Sequence, residues 1–139
     1  MAPVLLIDDD VDDQELMLEI CKELRPSYPV LQFENNLQTL SYLQTTLHKP
    51  RIIFCDLNMP RMTGVELLRI IQNTPHLRSK SIPFICLSTA NAQLFVQEVY
   101  DLGVQGFFQK PASMDQFRRI FQWSFDFWDH CIHPRQSLI

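Results

Sequence analysis

The chain has no basic cluster: its 12 Lys and Arg are scattered among 16 Asp and Glu, giving a net charge of −4. A nucleic-acid surface requires Lys and Arg gathered against phosphates, so no nucleic-acid partner is expected. It also lacks a long apolar run. The N-terminal segment Met1 to Asp8 carries no basic leader, and its apolar stretch Val4 to Ile7 is too short for a signal peptide or a membrane span. A cytoplasmic protein with no membrane association is the expectation. Cys21, Cys55, Cys86 and Cys131 are far apart with no C-x-x-C pair, so reduced structural thiols are expected. His48, His76, His130 and His133 share no spacing suited to a metal or a relay and are assigned to the surface. Repeats, low-complexity stretches and linkers are absent, and 46% hydrophobic with 20% charged residues is ordinary for one globular domain. Residues 1–139 are therefore read as a single domain.

What is present is a regular alternation of apolar strand-like runs with helical-period segments, which signals an α/β fold. Strands are predicted at Val4 to Ile7, Val30 to Glu34, Ile52 to Cys55, Pro83 to Leu87 and Gly106 to Gln109. The first, third and fourth are near-continuously apolar, as strands covered on both faces are. Helical spacing joins Leu16, Met17, Ile20, Cys21 and Leu24; then Leu37, Leu40, Leu43 and Leu47; then Val65, Leu68 and Ile71; then Leu94, Val99 and Leu102. Pro26, Pro75 and Gly103 bound these segments. The reading is (βα)5, five strands and five helices, with residues 73–81 as a loop.

The last helix, about residues 113–132 and followed by a short tail at 133–139, is rich in aromatics. Met114, Phe117, Phe121, Ser124, Trp128 and Cys131 form one stripe, and Ile120, Trp123 and Phe127 form a second. One face against a sheet does not need both, so the surplus points to a protein contact, with a homodimer as one form of it.

Functional groups in open α/β sheets gather beyond the carboxyl ends of the strands. Here the first strand ends in Asp8-Asp9, the third in Asp56, the fourth in Ser88-Thr89 and the fifth in Lys110-Pro111. Three carboxylates on one rim repel one another unless a cation neutralises them, and oxygen donors with room for water suit Mg²⁺. Asp10, Asp12 and Asp13 are read as acids favoured by a helix start rather than as further ligands.

These residues resemble the receiver domain of two-component response regulators over about residues 3 to 131: the acidic pair, then Asp56-Leu57-Asn58-Met59-Pro60, then a Ser/Thr with small residues after it, then Lys110-Pro111, in that order. The resemblance implies a flavodoxin-like three-layer sandwich with parallel strand order 2-1-3-4-5. It also implies phosphorylation of Asp56 by a histidine kinase or a phosphotransfer protein. Mg²⁺ would be held by Asp9, by Asp56, by the backbone carbonyl of Asn58 and, through water, by Asp8. Lys110 would pair with the carboxylate and then the phosphoryl group. Ser88, or Thr89 if the register moves by one, would bond a phosphoryl oxygen. Phe107 would be the aromatic whose rotation reshapes the surface of the fourth helix, fifth strand and fifth helix toward a downstream target. A cis Lys110-Pro111 peptide is implied as well. Ala90 departs from receivers that carry a polar side chain there. With no evident output domain, the chain is read as a stand-alone regulator and not a turnover enzyme. The alternatives are a phosphorylation-independent pseudo-receiver scaffold and a flavodoxin-like small-molecule binder. The binder would need a Ser/Thr/Gly-rich phosphate turn, where this chain has five aspartates between positions 8 and 13.

Overall fold

The computed structural model describes residues 1–89 and 93–134, the side chains of 93 and 94 excepted. Five strands, β1 (Val4–Ile7), β2 (Val30–Phe33), β3 (Ile52–Asp56), β4 (Phe84–Ser88) and β5 (Gly106–Gln109), form one parallel sheet in the order β2-β1-β3-β4-β5. The helices are α1 (Val11–Leu24), α2 (Asn36–Thr45), α3 (Gly64–Asn73), α4 (Pro75–Arg78), α5 (Gln93–Asp101) and α6 (Met114–His130). This is the flavodoxin-like arrangement that the resemblance implies.

β1, β3 and β4 are buried along their whole length, which is why they read as continuous apolar runs. Alternate residues serve opposite faces. Leu5, Ile7, Ile53, Cys55 and Cys86 pack with Leu43, Leu67, Leu68 and Val99 from α2, α3 and α5. Val4, Leu6, Ile52, Phe54 and Leu87 pack with Met17, Ile20, Phe121 and Phe125 from α1 and α6.

Among the described residues six helices stand where five were predicted. The segment read as a loop closes one helical turn, α4, because Pro75 presets the backbone at its first position and Leu77 turns into the core. The α2 stripe is also corrected. Leu37 lies half outside and Leu47 is 85% exposed beyond the helix end, while Asn36, Thr39 and Leu43 are the buried positions. Asn36 reads as polar in any pattern, yet its amide donates to the Met62 carbonyl at 2.8 Å and is thereby satisfied inside. Gly103 ends α5 with φ +85°, as expected of a residue free of a Cβ. Cys21, Cys55 and Cys86 are buried free thiols, and Cys131 is free and half-buried.

Candidate functional site

The site follows from the register. Ile7 pairs with Cys55, so the next residues, Asp8 and Asp56, stand side by side at the carboxyl ends of β1 and β3. Ser88 pairs with Gln109, and the Lys110 amide donates to the Ser88 carbonyl at 2.9 Å, which sets the lysine at the same rim. The exit of β3 is tightly built. The Leu57 amide donates to the Leu87 carbonyl and the Gly64 amide to the Leu57 carbonyl. A Cβ on Gly64 would stand 2.8 Å from Leu57 Cδ2 and 3.1 Å from the Asp56 carbonyl oxygen, so only glycine lets α3 start this close beneath Asp56.

α1 starts beside β1. Asp10 caps it by accepting from the Asp13 amide at 3.0 Å, and Asp8 Oδ1 accepts from the Asp10 amide at 2.9 Å. Gln14 Nε2 lies 2.9 to 3.1 Å from the carbonyl oxygens of Leu6, Asp8 and Phe33, tying the ends of β1 and β2 to the helix.

Lys110 is the centre of the cluster. Its Nζ donates to Asp8 Oδ2 at 2.7 Å, Asp13 Oδ2 at 2.8 Å and Asp56 Oδ2 at 3.3 Å, with the side chain only 5% exposed. Asp56 Oδ1 accepts from the Asn58 amide at 3.1 Å, and the Asn58 side chain donates to Ser88 Oγ at 3.1 Å. Ser88 is buried at the strand end, whereas Thr89, one residue further, is exposed. Phe107 is half-buried against the core shared with α2, α3 and α5. The Lys110–Pro111 peptide is trans, as no peptide bond among the described residues is cis, so the expectation of a cis link is not met. A single backbone bond from Lys110 to Ser88 already brings the ammonium over the rim. Ala90 lies outside the described residues.

The electrostatics are those of acids gathered around one cation. Burial pushes the Asp8 carboxyl up to about 6, against the opposing pull of Lys110 and of the Asp10 amide. Burial also raises Asp56, with Lys110 and the Asn58 amide opposing. Burial would lower Lys110, but the carboxylates of Asp13 and Asp8 outweigh it and hold the ammonium above the ordinary lysine range. Lys110 therefore stays charged.

Oxygens of Asp8, Asp9 and Asp56 lie within 4.8 Å of one another, Asp8 and Asp56 buried and Asp9 exposed to solvent. Hard oxygen donors so placed, with one side open, fit a divalent cation. Sequence reading assembled Asp8, Asp9, Asp56, Ser88 and Lys110 correctly at one rim. It missed Asp13, taken only as a helix-start acid, and Gln14, whose amide has no motif to announce it. The one available signal was position: Asp13 lies in the first turn of α1, three residues after the Asp10 cap.

The model for the response regulator receiver domain matches residues 4–122. The two-component response regulator ARR17 of Arabidopsis thaliana is 32% identical over 127 residues, covering 84% of this chain and 80% of that protein. Response regulator Rcp1 of Synechocystis sp. is 27% identical over 130 residues, covering 90% and 87%. Among solved structures, the phosphorylated cyanobacterial phytochrome response regulator RcpA superposes with a TM-score of 0.86 at 26% identity, covering 96% of this chain and 99% of that one. The Mn²⁺-bound form of Rcp1 superposes with a TM-score of 0.84 at 25% identity, covering 97% and 100%. The chain belongs to the response regulator receiver family. It is a signalling module of two-component systems, and among the described residues no helix is long and apolar enough to cross a membrane.

Proposed function

We propose that residues 1–139 act as one cytoplasmic receiver domain that takes a phosphoryl group onto Asp56 from a phosphohistidine of a histidine kinase or phosphotransfer protein. The observation that carries this reading is the Lys110 ammonium held between Asp8 and Asp56 at the carboxyl rim of the sheet, with Asn58 and Ser88 closing the other side. An Asp56 oxygen attacks the phosphorus, an O–P bond forms, and the P–N bond breaks with its electron pair leaving on the donor imidazole. Asp9, Asp56 and the Asn58 carbonyl, with Asp8 through water, would hold Mg²⁺, and the ion would supply the positive charge that offsets repulsion between carboxylate and phosphoryl oxygens. Lys110 donates to the phosphoryl group once it is in place. Ser88 turns its hydroxyl toward the same group, with Thr89 as the neighbour that would replace it.

Movement of Ser88 leaves space that Phe107 fills by turning inward. As phenylalanine it has no hydroxyl, so packing alone separates its two positions. The readout surface is α5, β5 and α6. A groove of about 510 Å³ between β5 and α6, lined by residues that include Lys110, Pro111, Arg119, Ile120 and Trp123, runs from Lys110 to the exposed Trp123 of α6. This supports a downstream target, or a second copy of the chain, as the partner on that face. The domain itself turns over no external substrate.

Incubation with phosphoramidate and Mg²⁺, read by intact mass, tests the reading. One phosphoryl adduct on the wild-type chain and none on Asp56→Asn is expected. An adduct that survives that substitution would place the acceptor elsewhere.

A further inference from the structure

An ammonium group has three N–H donors, and those of Lys110 are taken by three carboxylates. Two of them, Asp8 and Asp56, belong to the oxygen cluster suited to a divalent cation, and Asp13 does not. Lys110 and a metal ion therefore draw on the same two carboxylates, Asp56 directly and Asp8 through water. A cation that draws on their charge weakens two of the three partners of an ammonium whose side chain is 5% exposed and which water cannot easily re-solvate.

Asp13 answers that problem. Its carboxylate is 2.8 Å from Lys110 Nζ and its side chain is 26% exposed. Its backbone is fixed because its own amide donates to the Asp10 cap. A preference for acids in the first turn accounts for an acid at this position but not for its aim, since Asp12 in the same turn is exposed. We propose that Asp13 is a positioning residue that retains Lys110 when a divalent cation draws on Asp8 and Asp56. This rests on the reading of the rim as a divalent-cation site. Metal binding then proceeds with one ion pair of Lys110 intact throughout. The two N–H donors whose partners are weakened stay at the rim, aimed where phosphoryl oxygens on Asp56 would arrive.

Calorimetric titration of the folded chain with Mg²⁺ alone tests this. Asp13→Ala is expected to weaken binding roughly tenfold, the scale of losing one charge-assisted hydrogen bond. Asp13→Asn, which keeps an acceptor oxygen, should fall between Asp13→Ala and wild type. Asp12→Ala removes the same charge from the same turn and should change affinity no more than about twofold. In a Lys110→Met background, where no ammonium needs holding, Asp13→Ala should shrink to the size of the Asp12→Ala effect. Equal effects of Asp13→Ala and Asp12→Ala would overturn the proposal while leaving the metal site standing. So would an Asp13→Ala effect undiminished in Lys110→Met. Absence of saturable Mg²⁺ binding to the wild-type chain would overturn the proposal and the metal reading together.

Discussion

On the α1 and α6 side of the sheet, Phe54 stacks on Phe121 at 4.0 Å between ring centroids and meets Phe125 edge-on, and Tyr28 closes the cluster from outside. Arg25 bridges Asp126 and Asp129, Tyr28 donates to Asp129 at 2.7 Å, Arg51 lies over the Tyr28 ring, and Arg118 pairs with Glu23. On the other side, α5 is held more lightly. Among its described side chains only Val99 is buried, Phe95 and Tyr100 are 39% and 48% exposed, and Arg69–Glu98 is an ion pair on the surface. Such surface pairs contribute little. The difference divides the labour of the domain. The aromatic side anchors β1 and α1, and with them Asp8 and Asp13, whereas the lightly held side contains α5 and Phe107, which are proposed to move when Asp56 is modified.

Truncations that attack the anchored side should cost most. Phe121→Ala removes a fully buried ring at the centre of the stack and is expected to lower stability by about 3–5 kcal/mol in urea unfolding. Val99→Ala, the matching deletion on α5, is smaller in volume and backed by less packing, and should cost about 1–2 kcal/mol. A Val99 effect equal to that of Phe121 would erase the contrast. Asn36→Ala leaves the Met62 carbonyl without its donor and should cost about 1–3 kcal/mol, loosening the loop that follows Asp56.

A pH effect sharpens the comparison at the rim itself. The Asp8 carboxyl titrates at about 6 in the folded chain, above its ordinary 3.8, so the folded state binds this proton more tightly than the unfolded state does. The resulting stability is complete below the ordinary value and is lost as pH rises through about 6. In chelator, lowering pH from 7.5 to 5 should therefore raise stability through Asp8 by about 1 kcal/mol, and Asp8→Asn should remove that gain. An unchanged pH dependence in Asp8→Asn would assign it to other groups. The smallest expected change is at Trp123, which is 59% exposed on α6. Trp123→Ala should shift stability by no more than about 0.5 kcal/mol while weakening partner binding or self-association, read by sedimentation.

β1, β3 and β4 were legible in the sequence because strands covered on both faces demand unbroken apolar runs, and β1 and β5 fall at the residues predicted. The carboxyl-rim rule then placed Asp8, Asp56, Ser88 and Lys110 together from strand ends alone. The misses have physical causes. α4 is one turn long, too short to show a period, and is specified by Pro75 and Leu77 alone. The α2 stripe failed because Asn36 and Thr39 are buried polar residues satisfied by backbone carbonyls, which a hydrophobic pattern cannot register. Asp13 carried two roles in one residue, a favourable helix-start charge and a lysine partner, and only the local one is visible without the third dimension. The two stripes of α6 were read correctly in part: Phe117, Phe121 and Ser124 are buried and Trp123 and Phe127 exposed, but Ile120 of the second stripe is buried, Met114 of the first is exposed, and Phe125, in neither stripe, is buried.

The most direct test is an amide NMR comparison of the chain with Mg²⁺ before and after beryllofluoride, on wild type and Asp56→Asn. The account predicts saturable binding that is lost in Asp56→Asn. Large shifts should spread from Asp56 and Ser88 through β5 and α5 to the adjoining α6 surface, while the Phe54, Phe121 and Phe125 core stays fixed. A folded wild-type chain that binds no beryllofluoride, or shifts that run through the aromatic core and spare α5, would contradict it.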